Sequence, residues 1–360
     1  MKIGILTYHW ATNYGAVMQC YALQTYLESQ GHMVNIINYK PRINDDSLYS
    51  FFKFKKYVHL RTYCKRFLTN MRMESVLKSF RKSKLKCTRR LHSYTEIPKI
   101  LTDYDVLVSG SDQVLNPTFL MHGEGENIVT PTYFLGFPFD GRRIGYALSF
   151  GCVSYPQKEL IIASKYINSF DYISVREKTG VDILESMGRL DAIVVPDPTL
   201  LMSQAFYHKL SEECSLNLGE AYVYGFFIRN IEERKNVIGT ELNGSAIIWN
   251  NDDKSYSLQN WLFKIRHARL VITDSFHCMV MCLKMHKPFI VVTEQKGVTD
   301  MNDRFYTLLG KMSLESAIIH KFDLKKLLDI NALFFDWELV DKVLEDYRII
   351  GEDFLKKALS

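Results

Sequence analysis

No stretch of this chain holds the roughly 18–20 consecutive apolar residues that span a bilayer. No Cys-x-x-Cys pair opens a zinc site, and no His/Asp/Glu set has metal-ligand spacing. The Walker loop and the Gly-x-Ser-x-Gly elbow are both missing, which argues against P-loop phosphate chemistry and against an α/β-hydrolase nucleophile. The loop after the first strand pattern, Thr12-Asn13-Tyr14-Gly15-Ala16, lacks the Gly-x-Gly-x-x-Gly fingerprint. A Rossmann-like unit is implied there, but not a dinucleotide. There is no short-period repeat and no low-complexity tract.

What is present suffices for a large core. The 360 residues are 47% hydrophobic and 24% charged, and their number makes two domains the default. The amino end, Met1-Lys2-Ile3-Gly4-Ile5, enters a strand pattern at once without a signal region, so a cytoplasmic protein is expected. The seven cysteines are odd in number and scattered, and are expected as buried free thiols. The net charge of +5 is unevenly placed. From Lys53 to Arg90 there are fourteen Lys or Arg and one acid, Glu74, which leaves 31 bases and 39 acids, a net of −8, elsewhere. Aromatic and aliphatic residues interleave with these bases, and one or two amphipathic helices fit the spacing. Three readings compete: a solvated helical excursion, a face for an anionic membrane or lipid-linked substrate, and a nucleic-acid face. No reading motif accompanies the last, and no nucleic-acid partner is expected.

Strand and helix patterns alternate along the chain. Lys2 to Tyr8, Gly15 to Gln30 and Met33 to Tyr39 form a βαβ unit. Further strands are expected at Asp105–Val108, Arg143–Phe150, Tyr172–Val175 and Ile193–Val195, where Pro196 and Pro198 follow. Leu201 to Gly219 is polar and irregular, and the domain boundary is placed there. A second set of strands follows, at Ala221–Ile228, Ala246–Trp249, Leu270–Thr273 and Phe289–Val292, and a helical tail closes the chain. The expectation is an α/β protein of two Rossmann-like domains facing across a cleft, as in B-type glycosyltransferases, with a C-terminal helical tail. The domains are 1–205, with a basic helical insertion at about 51–92, then 206–323. The tail, 324–360, would pack back on the first domain. The site would lie in the cleft, at the carboxyl ends of the two sheets.

Four turns at such strand ends carry the candidate residues. Thr273-Asp274-Ser275-Phe276-His277 joins a buried strand to a packed helix, offering free backbone N–H groups and a histidine. Capping by Asp274 or Ser275 is the bland alternative. Ser111 and Asp112 end another strand, either as a turn or with Asp112 orienting or deprotonating a sugar hydroxyl. Arg176 and Glu177 end a third, as a surface ion pair or with Arg176 as a fork for phosphate or carboxylate. Asn13, Tyr14 and Gly15 open the first helix, for packing or for close backbone approach to a ligand. Arg304, which capping does not explain, could reach an anion near His277. Among the other histidines, His9 is the most suggestive.

These stretches resemble, in order, the polysaccharide pyruvyl transferase family. The likeness rests on Gly4-Ile5-Leu6-Thr7-Tyr8 with Asn13-Tyr14-Gly15-Ala16 and Gln19, and on Gly110-Ser111-Asp112-Gln113-Val114 and Ser174-Val175-Arg176-Glu177. It continues in Asp197-Pro198-Thr199-Leu200, in Thr273 to His277, in Lys287-Pro288-Phe289, and in Arg304 ahead of Leu308 and Leu309. The set covers about residues 3 to 310. One departure is Cys278, where the family usually has Gly, and the basic segment is not part of the pattern.

The resemblance implies transfer of pyruvyl from phosphoenolpyruvate to a hexose, galactose-type, of a bacterial surface-polysaccharide precursor, giving a cyclic ketal and phosphate. It implies His277 and Asp112 as the acid–base pair, with the two roles exchangeable. Asn13, Tyr14, Gly15, Ser111, Arg176, Glu177, Asp274, Ser275 and Arg304 are the expected substrate-binding residues. No metal or cofactor enters this scheme beyond phosphoenolpyruvate as donor. The rivals are a nucleotide-sugar glycosyltransferase on the same plan and a non-catalytic glycan-binding relative.

If the acceptor is linked to a lipid pyrophosphate, the basic segment gains a role as a peripheral contact at the inner face of the membrane. Each Lys or Arg would add on the order of 1 kcal/mol at an anionic surface. Sedimentation with anionic liposomes should then fall when Lys53 to Arg90 is removed, and equal partitioning would remove the idea.

Overall fold

The computed structural model describes residues 1–41, 60–122, 130–214, 216–219, 222–242, 246–250, 256–295, 300–321, 323 and 334–360. Residues 51–59 of the basic segment and 324–333 of the tail lie outside them. The chain divides into two compact units, Met1–Leu201 with Gly351–Ser360, and Met202–Ile350.

The first unit carries β1 (Lys2–Leu6), α1 (Tyr14–Ser29), β2 (Met33–Ile36), α2 (Leu60–Lys84), β3 (Val106–Ser109), α3 (Pro117–His122) and β4 (Arg142–Leu148). It continues with α4 (Gln157–Ile167), β5 (Tyr172–Val175), α5 (Lys178–Ser186), β6 (Ile193–Val194) and α6 (Pro198–Leu201). The strands form one sheet in the order β2-β1-β3-β4-β5-β6, every pair parallel. Parallel strands are covered on both faces, which is why Val106, Leu107 and Val108 read as an unbroken apolar run. Helix α1 starts where Asn13 accepts bonds from the N–H groups of Gly15 (2.8 Å) and Ala16 (3.2 Å). It stops at Gly31, whose φ of +85° suits a residue without Cβ.

The second unit carries α7 (Gln204–Glu212), β7 (Val223–Phe226), α8 (Ile231–Glu241), β8 (Ile247–Trp249), α9 (Leu258–His267) and β9 (Leu270–Thr273). Then follow α10 (Phe276–Lys284), β10 (Phe289–Thr293), α11 (Asp303–Leu309), β11 (Ile318–His320) and α12 (Trp337–Leu359). Its sheet is again wholly parallel, in the order β11-β10-β9-β7-β8. Helix α10 is buried along its whole length, so its residues are apolar on every side rather than in a stripe. Gly225 in β7 lets Trp249 lie flat on the strand, since a Cβ there would meet the indole at 2.2 Å. The last turns of α12 belong to the first unit. There Gly351 meets Pro196, Tyr146 and Leu201, and Ala358 accepts a bond from Arg142 at 2.7 Å.

The structure amends several expectations. Leu201 to Gly219 is not irregular throughout, because α7 lies within it, capped by Ser203 and burying Tyr207 and Leu210. Short length and a polar outer face hid its period. Strand β11 was not expected, being three half-buried residues at a sheet edge. Among the thiols, Cys20, Cys278 and Cys282 are buried, Cys152 and Cys214 are half-buried and Cys87 is exposed. The basic segment is not an excursion throughout. Leu77, Phe80, Arg81 and Leu85 are buried, Phe80 packs edge-on against Tyr21 of α1, and Arg81 pairs with Glu74. A liposome comparison is therefore better made by substituting the exposed Lys78, Lys82, Arg89 and Arg90 than by deletion. Among the described residues no helix is long and apolar enough to cross a membrane.

Candidate functional site

In each sheet the chain first leaves one strand to one side and later returns to the other side. In the first sheet this switch lies between β1 and β3, and in the second between β7 and β9. Ligands of open parallel sheets bind outside the carboxyl ends at such points.

At the β1/β3 switch the loop after β3 is tied down by buried polar bonds. Gln19 of α1 donates to the Thr7 hydroxyl at 2.9 Å and accepts from the Ser111 N–H at 3.2 Å, and Thr7 donates to the Ser111 carbonyl at 3.1 Å. Gly110 has φ +109°, and a Cβ there would sit 2.3 Å from the Tyr146 carbonyl oxygen, so only glycine fits. Below this loop lies Arg176, 2% exposed. Its guanidinium donates to Asp197 at 2.9 Å and lies 3.5 Å from Glu177 and 3.9 Å from Asp112. Asp197 also accepts from Ser111 Oγ at 3.1 Å and from the N–H (3.0 Å) and hydroxyl (2.7 Å) of Thr199. Glu177 accepts from Ser149 Oγ at 2.5 Å and from the Phe150 N–H at 3.2 Å. Burial pulls the Arg176 pKa down, but Asp197, Glu177 and Asp112 outweigh it and leave the group above its ordinary value.

This geometry corrects two expectations. Arg176 and Glu177 are not a surface pair, and Arg176 is no open fork for a phosphate, because three carboxyl groups already enclose it. The pair is interior scaffolding. Asp112 is the member that reaches the surface, with its side chain 19% exposed, φ +71°, and an oxygen accepting from the Gln113 N–H at 2.9 Å. Asn13 is used as the α1 cap, and Tyr14, Gly15 and Ser111 are buried. His9 is buried as well, against the Thr7 carbonyl and the Asn38 side chain. Burial lowers its pKa to about 4, so it is a neutral packed histidine at physiological pH.

At the β7/β9 switch Ser275 caps α10, accepting from the Cys278 N–H at 3.4 Å, while Thr273 accepts from the Ser275 N–H at 3.0 Å. Cys278 fits because it lies inside the helix, fully buried, where a side chain strains nothing. The cap does occupy its N–H, leaving fewer amides for an anion. Asp274 accepts from the N–H groups of Ile228 (2.7 Å) and Arg229 (3.0 Å), fastening the loop after β7. Burial raises its pKa, and those two bonds oppose the rise. His277 is 6% exposed and meets the Phe276 ring edge-on at 5.5 Å. Arg304 lies over the same ring at 5.6 Å and over Phe305 at 5.3 Å. One aromatic ring thus brings His277 and Arg304 together.

Sequence reasoning missed two participants. Asp197 sits in a quoted motif, but its Pro198 suggested only a turn. Arg229 is exposed in the loop after β7, and among the described residues its Nη2 donates to the weak Met301 thioether acceptor at 3.2 Å. A charged residue closing the apolar run Tyr224-Gly225-Phe226-Phe227-Ile228 was the available signal. Among the described residues no three His, Cys, Asp or Glu side chains gather as metal ligands.

Removing Arg176 leaves buried carboxyl groups without their cation. Arg176→Met should cost about 3–5 kcal/mol in equilibrium urea unfolding. A loss below about 1 kcal/mol would show that the cluster does not depend on it.

Comparison with solved structures places this fold beside UDP-GlcNAc 2-epimerases. That of Rickettsia bellii matches with a TM-score of 0.53 at 8% identity, over 99% of this chain and 95% of that one. That of Methanocaldococcus jannaschii matches with a TM-score of 0.52 at 14% identity, over 93% of each. At such identity the likeness is one of fold alone, two Rossmann-like units of the glycosyltransferase B type. No curated protein matches. The sequence model described as "Polysaccharide pyruvyl transferase" matches residues 13–296, which is most of the chain and takes in all four turns, with Arg304 beyond it. The chain therefore belongs to the polysaccharide pyruvyl transferase family.

Proposed function

We propose that this protein moves the pyruvyl group of phosphoenolpyruvate onto two hydroxyls of a hexose, galactose-type, in a bacterial surface-polysaccharide precursor carried on a lipid. The observation that supports it most is the β7/β9 switch of a pyruvyl transferase family member. There a helix amino terminus, a histidine and two arginines, Arg229 and Arg304, stand at one sheet edge.

Phosphoenolpyruvate carries a phosphate and a carboxylate, so two cations suit it. Arg304 is one. Arg229 replaces the enclosed Arg176 as the other, since it is exposed and, among the described residues, its side chain donates to the weak thioether acceptor of Met301. His277 delivers a proton to the methylene carbon, which becomes the ketal methyl, and positive charge develops at the carbon bearing phosphate. One acceptor hydroxyl bonds to that carbon, the bond to phosphate breaks, and the second hydroxyl closes the ring. Of the two hydroxyl protons, one replaces that taken from His277 and one leaves with phosphate. Asp112, the surface member of the first unit's cluster, is the acceptor-side base or orienter. The arginines carry the charge in this scheme, and no step runs through a metal.

Incubation of the full chain with phosphoenolpyruvate and a panel of lipid-linked and simple hexosides should yield a product heavier by pyruvic acid less water, read by mass spectrometry. His277→Ala should lower turnover about 10²–10⁴-fold while phosphoenolpyruvate still raises the melting temperature. Stabilisation by nucleotide-sugars instead of phosphoenolpyruvate would favour the glycosyltransferase reading. In the same assay Arg229→Met should raise the KM for phosphoenolpyruvate tenfold or more, the loss of about 1.5–3 kcal/mol expected for a charge-assisted bond. An unchanged KM would return the second cation to another residue.

A further inference from the structure

The proposed reaction assigns Asp112 to the acceptor but gives the sugar ring nothing to lie on. Beside Asp112, at the carboxyl end of β1, stands an aromatic group that the scheme has not used. Tyr8 follows β1 and is the centre. Trp10 meets it edge-on, with centroids 5.7 Å apart at 80°, and Phe119 of α3 meets it from another side at 6.0 Å and 79°. Tyr133 backs Tyr8 at 4.7 Å and Tyr39 backs Tyr133 at 6.0 Å, so the group is anchored in the core. Its outer members are not core residues. Phe119 is 49% exposed, and Trp10 is half-buried, with Lys40 Nζ 5.5 Å from its ring centroid. The Trp10 indole N–H has no acceptor among the described residues. Thr7, next to Tyr8, donates to the carbonyl of Ser111, next to Asp112, at 3.1 Å, which ties the aromatic group to the loop that bears that carboxylate.

An exposed phenyl ring and a half-buried indole meeting one tyrosine at a sheet switch point make a contiguous apolar patch of the kind that marks a binding surface. Aromatic faces are electron-rich and attract polarised C–H groups, so they suit the apolar face of a pyranose whose hydroxyls point outward along its edge. The Lys40 ammonium beside the indole ring is a donor of the kind that hydroxyl oxygens accept. We propose that Tyr8, Trp10 and Phe119 form the stacking platform for the acceptor hexopyranose and present its hydroxyl edge to Asp112. This rests on the pyruvyl transfer reading for its consequence in turnover, but not for sugar binding itself.

The test uses the full chain, methyl hexopyranosides (which bring no aromatic group of their own) and phosphoenolpyruvate. Trp10 and Phe119 are the residues to change, because Tyr8 also packs inward. Trp10→Ala and Phe119→Ala should each raise the acceptor KM about tenfold. Calorimetric affinity for phosphoenolpyruvate should stay as in the wild type at a temperature where each variant is folded by circular dichroism, and Trp10→Phe should restore most of the loss. An acceptor KM unchanged in both alanine variants, with active wild type, overturns the platform and leaves pyruvyl transfer standing. If the wild type turns over no hexoside, the pyruvyl reading fails, and saturation-transfer NMR of the same hexosides scores the platform by itself. A signal lost in both alanine variants supports it. A signal equal in all three proteins, or none in the wild type, overturns it.

Discussion

One buried cation holds the working edge of the first unit in place. Arg176 lies under the loop after β3 and draws Asp197, Glu177 and Asp112 toward a single point. Each carboxylate carries a different piece of chain. Asp197 secures the start of α6 and, through Ser111, the loop after β3. Glu177 secures the loop after β4 by the Ser149 hydroxyl and the Phe150 amide. Asp112 remains partly in solvent. In a low-dielectric interior such a set is stable only when every member is matched, so the cluster acts as a geometric standard more than as a source of stability.

The second unit fastens its switch point chiefly by hydrogen bonds to backbone amides and by a shared aromatic wall. Asp274 reaches across from β9 to the two amides after β7, and Phe276 serves as a shared wall for His277 and Arg304. The two switch points therefore differ in character. The first is rich in carboxylates and aromatic rings. The second gathers guanidinium groups around a helix start that Ser275 already caps.

Much of the fold could be read from the residues. Strands such as Tyr172–Val175 and Leu270–Thr273 and helices such as Leu258–His267 appear where short buried runs and helical spacing put them. The failures share a cause. Helix α7 and strand β11 are short and owe their form to what they pack against, and short elements carry too little period to be seen. The motif residues were also visible. Their jobs were not, because Ser275 and Asn13 look alike as caps and as ligands until the bonds are drawn.

The sequence by itself determined the plan and the membership: two parallel α/β units, an ordered set of turns at strand ends, and a histidine at the first turn of a buried helix. Spacing and residue type suffice for these, because periodicity and turn chemistry are local. Only the tertiary structure decided which charges meet. It enclosed Arg176 among carboxylates from three separate strand ends, left Arg229 open beside Asp274, and stood Tyr8 between Trp10 and Phe119. Whether an arginine is scaffold or ligand depends on its neighbours in space and on its access to water. Neither follows from its place along the chain.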